Sequence, residues 1–598
     1  MSKYNDLVTV IDAIRAEAPA ANKRYNPDTS SIDEVGNARA RAFIHLFLKV
    51  KFGLVDFTDR EKLITDDTDD GGIDGYYIDR ENKKLYYIQS KFRATEKNFE
   101  NKDITLEEIL SMDIERITTG ETCYESGTKY NGKIQSLIRD LQEISDIPKY
   151  DTKIILLANI KETLQPKINK IMGGYRAEIY NYERCYNELV FPLVSDTYYN
   201  ISELKITINL DSTNSGHRID YNVKTELDEC NVNAFFVPTL EIAKIVSKYK
   251  NSILKYNPRS YLDLSAGSVN AEIAKSIRQI KTNEFALFNN GITMLSDNTK
   301  HSDKVGKKNK AEVMVTNPQI INGGQTAYTL SRLYDDCKEQ NTTLDIFNDK
   351  EVLLKIITFS EENGQATTKS IADRLTLIED ISKATNQQSP VNEADRRAND
   401  KVQIELQKLI FEDFGLYYER KRGEFGDGLH HHYITRDEVI DRELFLRVCL
   451  AAQNKPHEAI QGQLKLFALP KFTTILPDTN SYRKNMFAYY TYLRIPQLKN
   501  SNIGHAASLG RYSVTSLVAK KYSPQLKTED FGNTIDKEIK LVFDKWLQFQ
   551  SFARDEQHNK RYFYEVFDRG TGKKIIEANW TAYFKGGTLV NDLTKFFK

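Results

Sequence analysis

Cysteine is scarce in this sequence, and no two cysteines form a CxxC pair. The five that occur are far apart and odd in number: Cys123, Cys185, Cys230, Cys337 and Cys449. Widely spaced single cysteines argue against a zinc ribbon and favour reduced thiols, as in a cytoplasm.

Long apolar runs are absent as well. No stretch of about 18 or more apolar residues occurs, so no membrane span is predicted. The first residues, MSKYNDLVTVIDAIRAEAP, lack a basic region followed by an apolar core, which would mark a secretory signal. We therefore expect a cytoplasmic protein without a membrane partner.

The chain also lacks a net charge and three common catalytic signatures. GxSxG, GxxxxGK followed by Ser or Thr, and HExxH do not occur, which removes the usual support for a serine hydrolase, a P-loop ATPase or a zincin. Lys+Arg and Asp+Glu both number 84, so local basic patches would have to hold a nucleic-acid partner.

Four regions are predicted from the patterning of the 598 residues, a length that suffices for three or four domains. Residues 1–165 are predicted to be α/β, and 166–250 a mixed connecting region. Residues 251–430 are predicted to be α+β, and 431–598 mainly helical. The elements that the apolar periodicity predicts are a helix with Ala38, Phe43, Leu46 and Phe47, helices around Leu106–Thr118, Gly132–Ile144 and Leu240–Tyr249, strands over 152–158, 204–210, 311–315 and 352–359, and a tail strand with Tyr562, Phe563, Tyr564 and Phe567.

The most informative segment runs from Asp69 to Phe92 and reads DDGGIDGYYIDRENKKLYYIQSKF. An acidic, glycine-rich corner leads into a strand, a polar turn and a second strand that ends Gln89-Ser90-Lys91. If the turn closes on Glu81-Asn82, Asp74 faces Gln89; if it closes one residue later on each side, Asp74 faces Lys91. Either even-length loop puts the three polar groups on one face, whereas a three-residue loop would scatter them.

These residue types suit a metal-dependent phosphodiester cleavage. Mg²⁺ prefers oxygen ligands, which Asp74, the Gln89 side chain and the Ser90 carbonyl would supply, with Mn²⁺ as a substitute. Lys91 would orient the attacking water and offset charge on the scissile phosphate. Glu34 precedes the helix expected beside the hairpin and is the candidate for a further acid.

GGIDG followed by IQSK resembles the PD-(D/E)xK nuclease superfamily, specifically its Mrr-like branch. In that branch the acid of the second half-motif is commonly Gln, as at Gln89. The resemblance covers roughly residues 30–160 and implies a restriction-endonuclease-like fold and a Mg²⁺-dependent DNA endonuclease. Two alternatives remain: a surface hairpin with solvated Asp74 and Lys91, or a calcium-like acidic loop at Asp66–Asp70.

A second resemblance is longer. Five segments follow one another as in the abortive-infection phage-resistance (AIPR) family: YNPRSYL (256–262), FALFNNGITML (285–295), NPQIINGGQTAYTL (317–330), KATNQQSPVNEADRRAND (383–400) and YYERKRGE (417–424). It covers about residues 230–430 and implies bacterial anti-phage defence, without supplying a reaction.

The side chains of this region suggest a nucleic-acid or nucleotide sensor. The turn Asn322-Gly323-Gly324-Gln325 would expose amides, and Tyr417 and Tyr418 could stack on a base. The basic groups suited to phosphate are Arg259, Arg396, Arg397, Arg420, Lys421 and Arg422. Equally open is the interpretation that the Asn, Gln and Gly residues are buried turn residues of an irregular fold.

Taken together, the sequence predicts a metal-dependent DNA endonuclease of an abortive-infection or restriction type. Because such an enzyme is toxic to its host, the AIPR region, the helical tail or self-association is expected to gate it. Expected partners are DNA, a phage-derived trigger and a second copy of the chain, since one site cuts one strand. The alternatives are a sensing or binding module with a degenerate hairpin site, and a nuclease that acts on RNA.

Overall fold

The structure is a computed structural model, and it describes residues 2–28, 31–80, 82–106, 109, 112–160, 164–198, 204–210, 218–226, 229–254, 257, 269–279, 281–303, 311–359, 377–378, 380–381, 393–462, 465–498, 503–567 and 574–598. The chain forms two compact units. The first unit comprises Met1–Ser389 and Arg422–Arg436, and the second Pro390–Lys421 and Asp437–Lys598.

The first 194 residues mix helices and strands, as predicted. The helices are α1 Lys3–Ala16, α2 Ile32–Phe52, α3 Phe57–Glu61, α4 Glu96–Asn101, α5 Ile114–Thr118, α6 Gly132–Gln142, α7 Gln165–Ile171, α8 Tyr182–Cys185 and α9 Phe191–Val194, with a π-helical turn at Tyr186–Val190. The strands are β1 Gly75–Asp79, β2 Lys84–Ser90, β3 Asp151–Leu157 and β4 Ala177–Tyr180. The predicted helix around Leu106–Thr118 is helical only from Ile114 among its described residues.

These four strands form one sheet in the order β1-β2-β3-β4. β1 pairs with β2 antiparallel, while β3 pairs with β2 and with β4 parallel. The middle of β2, from Leu85 to Gln89, is buried, as is usual for a strand with both faces covered.

Helix α2 is the predicted helix that precedes the hairpin, and residues at its two ends determine where it begins and stops. The Ser31 hydroxyl accepts a hydrogen bond from the Glu34 N–H (3.4 Å), which caps the first turn. Gly53 takes a left-handed conformation (φ 65°) and ends the helix. Between them Ala38, Phe43 and Phe47 are buried.

The rest of the first unit contains two sheets around a second apolar core, to which Phe235, Met294 and Ile356 contribute. The sheets have the orders β5-β10-β9 and β11-β8-β12-β7-β6. The strands are β5 Lys205–Asn209, β6 Ile219–Lys224, β7 Glu229–Pro238, β8 Ile292–Ser296, β9 Asn298–Asp303, β10 Ala311–Thr316, β11 Gln319–Asn322 and β12 Glu351–Phe359, and the helices are α10 Thr239–Tyr249, α11 Val269–Gln279, α12 Phe285–Phe288 and α13 Gly324–Glu339. The predicted strands at 204–210, 311–315 and 352–359 and the predicted helix at Leu240–Tyr249 are confirmed.

The segment Arg422–Arg436 belongs to the first unit, although the segments before and after it in the chain belong to the second. It carries a short helix, Gly426–His430. The Phe425 ring packs on Phe191 (6.0 Å between centroids), and a Cβ at Gly428 would lie 2.6 Å from the Val194 carbonyl. This close packing on helix α9 explains why glycine stands at 428.

The second unit is mainly helical, as predicted for the C-terminal part. Its apolar core is built around residues such as Phe445, Phe487 and the fully buried Trp546. Its helices are Glu393–Arg396, Lys401–Phe414, Arg442–Ala452, Pro456–Ala459, Leu469–Ile475, Tyr482–Leu498, Arg511–Ala519, Phe531–Asp555, Trp580–Phe584 and Leu589–Phe596, and its strand pairs are Tyr417–Glu419 with Val439–Asp441 and Phe563–Phe567 with Lys574–Ala578. In the described part of the chain, no helix combines the length and the apolar character that a membrane crossing requires.

Candidate metal centre

The hairpin β1–β2 adopts one of the two registers that gather its polar groups. Its pairs run from Gly75↔Ile88 to Asp79↔Lys84, so the loop has an even length and is centred where the sequence predicts it. The Asp79 carboxylate fixes this loop, because it accepts hydrogen bonds from the Asn82 N–H (3.0 Å) and side-chain amide (2.9 Å). The register prediction is therefore confirmed.

The residues immediately before Gly75 form the acidic corner. The Asp74 N–H donates to the Ile88 carbonyl (2.9 Å), and the Asp74 carboxylate accepts the Ser90 N–H (2.6 Å). The Gln89 amide donates to the Gly72 carbonyl (2.9 Å). Asp74 and Gln89 are thus both buried beside the end of β2. The Ser90 backbone of that strand holds the Asp74 carboxylate, which lies just before β1.

Three carboxylates converge at this corner. Oxygen atoms of Asp66, Asp70 and Asp74 all lie within 4.8 Å of one another, the only such group of metal-ligating side chains in the described part of the chain. The sequence predicts Asp74 and Gln89 as metal ligands. It suggests the loop Asp66–Asp70 only as an alternative, calcium-like acidic loop. Their spacing of four residues, together with the glycines that follow, was the available signal.

The backbone of the loop explains how acids four residues apart come together. Asp69, Gly71 and Gly72 all have positive φ (59°, 63° and 73°), a conformation that glycine adopts without strain and that Asp tolerates better than most residues. The Gly72 N–H donates to the Asp70 carboxylate (2.8 Å), which folds the loop back on itself.

Asn131 ties the acidic loop to helix α6. Its amide NH₂ donates to the Thr65 carbonyl (3.1 Å) and the Thr68 carbonyl (3.2 Å), while its oxygen caps the helix by accepting the Ile134 N–H (3.0 Å). The Tyr124 hydroxyl accepts the Gly71 N–H (2.9 Å). The corner is therefore held by the fold around it rather than by the hairpin alone.

The electrostatics of the corner follow from its burial and charge. Burial and the neighbouring carboxylates raise the pKa of Asp74 to about 7 and that of Asp70 to about 6. The Lys91 ammonium lowers both pKa values, so it lies within electrostatic reach of both acids. On the other side, the Arg41 guanidinium lies 3.2 Å from Asp66.

Glu34 is not a member of the carboxylate group. It is exposed in the first turn of α2, where its N–H bonds to Ser31. The structure therefore supplies two other acids, Asp66 and Asp70, at the corner where the sequence offered Glu34. That Glu34 is a further catalytic and metal-ligating acid of the site stays a prediction.

The pKa shifts lead to a prediction about pH. In the unfolded chain both acids lose their protons near pH 4, but the folded corner keeps them to about pH 6–7, so this corner destabilises the fold as pH rises from about 4 to 7. A divalent cation bound at the corner would replace those protons. We expect MnCl₂ to raise the thermal unfolding temperature by several degrees at pH 8 and by much less at pH 5.5. An equal shift at both pH values, or the same shift in Asp74→Asn, would contradict this.

The motif NGGQT forms the entry to helix α13. Gly323 precedes the helix with φ 79°, and a Cβ there would lie 2.6 Å from the Gly291 carbonyl. A Cβ on Gly324 would lie 2.5 Å from the Asn257 amide. The Asn322 carboxamide accepts the Gly323 N–H (2.7 Å). These contacts favour the interpretation of the motif as tight turn packing.

The described basic and aromatic candidates differ in burial and in the unit to which they belong. Tyr417 and Tyr418 are fully buried, so the prediction that they stack on a base is wrong. The Arg420 guanidinium bonds to the Gln407 side chain (2.9 Å) inside the second unit, whereas Arg422 is exposed in the first unit. Arg397 bonds to the Phe467 carbonyl (2.9 Å), and Lys421 is buried. The candidate positions that lie outside the described residues are Arg259 and the Arg396 side chain.

Comparison with known families matches residues 254–520 to the family described as AIPR protein. The matched region begins close to the predicted position and extends about 90 residues beyond the predicted end at 430. Residues 254–520 are therefore similar to the AIPR family and are called the AIPR region below, and the acidic corner lies outside them. No curated protein and no solved structure matches the chain.

Proposed function

We propose that this chain is a metal-dependent DNA endonuclease that acts in bacterial defence against phages. The AIPR region supports the role in abortive infection or restriction. The observation that carries the nuclease proposal is the convergence of Asp66, Asp70 and Asp74 beside Lys91 at the end of a hairpin.

The donor set of the corner fits Mg²⁺. Its three carboxylates are hard oxygen ligands of the kind that Mg²⁺ and Mn²⁺ prefer, and the Gln89 side-chain oxygen would be a further one. A neutral Gln89 holds a cation more weakly than an acid would, and Asp66 and Asp70 offset that weakness. A bound Mg²⁺ would supply Lewis-acid chemistry, polarising a phosphate oxygen and making a water molecule more acidic.

Asp74 and Lys91 have different roles in the proposed reaction. Asp74 is fixed by the Ser90 N–H, and that bond keeps one carboxylate oxygen in place in the absence of substrate. The Lys91 ammonium would face the scissile phosphate and stabilise the negative charge that builds on it. In the reaction a water oxygen forms a bond to phosphorus, the bond to the leaving oxygen breaks, and that oxygen takes up a proton.

The negative charges of the corner also determine when DNA can bind there. Without a cation, three carboxylates repel a phosphate, so binding at this corner should itself require the metal. Since one corner cuts one strand, cleavage of a duplex requires two copies of the chain or two successive events. We propose a homo-oligomer, with a phage-derived trigger that acts through the AIPR region.

A cleavage assay with a Lys91→Met variant tests the proposal. The full-length protein, with and without extract of phage-infected cells, is incubated with supercoiled plasmid DNA or single-stranded RNA in Mg²⁺, Mn²⁺ or EDTA. We expect metal-dependent nicking and linearisation of DNA, about 100-fold slower in Lys91→Met because the charge that stabilises the transition state is lost.

Lys97→Met is the matched control, since Lys97 is exposed on α4 nearby in sequence. It should cleave at the wild-type rate. Cleavage in EDTA, undiminished cleavage by Lys91→Met, or no cleavage under any condition would each contradict the proposal. Faster cleavage of RNA than of DNA would replace DNA by RNA as the substrate.

A further inference from the structure

A cavity lies between helices α11 and α13, far along the chain from the acidic corner. Its volume is about 360 Å³, within the range of small-molecule pockets. Both helices belong to the first unit and to the region that matches the AIPR family. The walls of this cavity differ in charge from the corner at Asp74.

Basic side chains line the cavity from both helices. Lys275 and Arg278 stand one turn apart on α11, and Arg332 faces them from α13. One acid, Asp336, is among the lining residues, and it pairs with Arg278 (2.9 Å). Since both groups of that pair are substantially exposed, the pair is weak and an anion could displace it. The cavity therefore has an excess of positive charge.

A buried hydroxyl beside the same cavity lacks a partner among the described residues. Thr329 is 1% exposed and lines the cavity, and its enclosed Oγ1 makes no hydrogen bond within the part of the chain that the structure describes. Buried polar atoms are nearly always paired, because an unpaired one loses its water without compensation. Rotation of the Thr329 side chain about χ1 would turn this hydroxyl toward the cavity, where an oxygen of a ligand would accept its hydrogen bond.

Most of the remaining wall is apolar, and Gln279 is its one polar residue. Ala271 and Ala274 on α11 and Leu333 on α13 leave the space that larger side chains would fill. Such a wall suits the uncharged part of a ligand whose charged end meets the basic groups. The dimensions and the mixed lining fit a molecule of about nucleotide size.

We propose that this cavity binds a small phosphate-bearing molecule of nucleotide size. Its phosphates lie between Lys275, Arg278 and Arg332, where guanidinium groups can bind phosphate oxygens in pairs. One of its oxygens accepts the Thr329 hydroxyl. This site does not depend on the nuclease proposal, because its side chains and its ligand chemistry are separate from those of the acidic corner.

Calorimetric titration of the full-length protein in EDTA tests the proposal, because EDTA removes metal-mediated binding at the corner. The probes are inorganic pyrophosphate, ATP, adenosine and citrate. We expect pyrophosphate or ATP to bind and adenosine and citrate not to bind. Lys275→Gln should weaken binding at least about tenfold, since a charged hydrogen bond is lost.

Two further variants separate binding from folding. Thr329→Val keeps the shape of the side chain and removes the unpaired hydroxyl, so the free protein should unfold at the same or a higher temperature while ligand affinity falls. Lys338→Gln makes the same charge change as Lys275→Gln, but at a position of α13 outside the cavity, and should bind like the wild type.

Three results would overturn the proposal. The first is that neither pyrophosphate nor ATP binds at millimolar concentration. The second is that binding is unchanged in both Lys275→Gln and Thr329→Val, which would put the ligand elsewhere. The third is that citrate binds as tightly as pyrophosphate, which would remove phosphate as the recognised group.

Discussion

Asp74→Asn is expected to reduce metal-dependent cleavage at least about 1,000-fold while leaving the protein folded. Losing one ligand of a metal that stabilises charge in the transition state costs several kcal/mol, and 1.36 kcal/mol corresponds to a tenfold change in rate. Asn retains an oxygen for the Ser90 N–H that Asp74 now accepts at 2.6 Å. The substitution therefore removes the charge and keeps the shape of the corner.

Removing this charge should also affect stability in the absence of metal. Burial and nearby acids raise the pKa of Asp74 to about 7, so its ionised form is disfavoured in the fold. The Asn variant resembles the protonated acid, and at pH 8 without metal it should unfold at the same or a higher temperature than the wild type. Lost activity together with undiminished stability would assign the loss to chemistry.

Asp69→Asn is the matched control for this experiment. Asp69 lies in the same loop with φ 59°, a conformation that Asn tolerates well, and it is not a member of the carboxylate group. We expect wild-type cleavage rates from it. Equal losses in Asp69→Asn and Asp74→Asn would mean that loop structure, and not a specific ligand, limits the reaction. Full activity of Asp74→Asn would exclude the corner as the active site.

Gly323→Ala is expected to destabilise the first unit by about 2–5 kcal/mol. Ala in a left-handed conformation costs about 1–2 kcal/mol, and an extra carbon in a full space costs about 1–3 kcal/mol. The new Cβ would lie 2.6 Å from the Gly291 carbonyl and 2.9 Å from the Ile292 Cα, both backbone atoms that cannot move aside cheaply. Denaturant unfolding of the full-length protein measures the loss.

Gly36→Ala provides the control for the glycine substitution. Gly36 lies inside helix α2, and a Cβ there would meet nothing within 4 Å. Ala is a better helix former than Gly, so stability should stay equal or rise by up to about 1 kcal/mol. A Gly323→Ala protein as stable as the wild type would show that the turn relaxes easily, and would reopen the interpretation of NGGQT as a ligand-binding loop.

The hairpin could be predicted because its signals are local. Alternating apolar residues define both strands, and the polar turn with Asp79 and Asn82 fixes the loop length, so the register follows from short-range chemistry. The strands Asp151–Leu157 and Glu351–Phe359 were predictable for the same reason, since each is a compact apolar run.

The complete set of acids could not be predicted, because it depends on a loop shape and on distant supports. Asp66 and Asp70 reach Asp74 only because three positive-φ residues reverse the chain and Asn131, on another element, holds the loop. Tyr417 shows the opposite difficulty. A charged run follows it from Glu419 to Arg422, but its ring is buried in a strand, and composition does not reveal which side of a strand a core will cover.

The return of Arg422–Arg436 to the first unit has a consequence for the order of events during translation. The acidic corner, its hairpin and Asn131, which holds the acidic loop, have all been made once the chain reaches residue 131, whereas the last piece of the same unit follows Lys421 of the second. At about 5–20 residues per second, the ribosome needs roughly 15–60 s to cover that interval. A nascent chain therefore carries the corner long before its own unit can close, and a premature stop in this interval makes that state permanent.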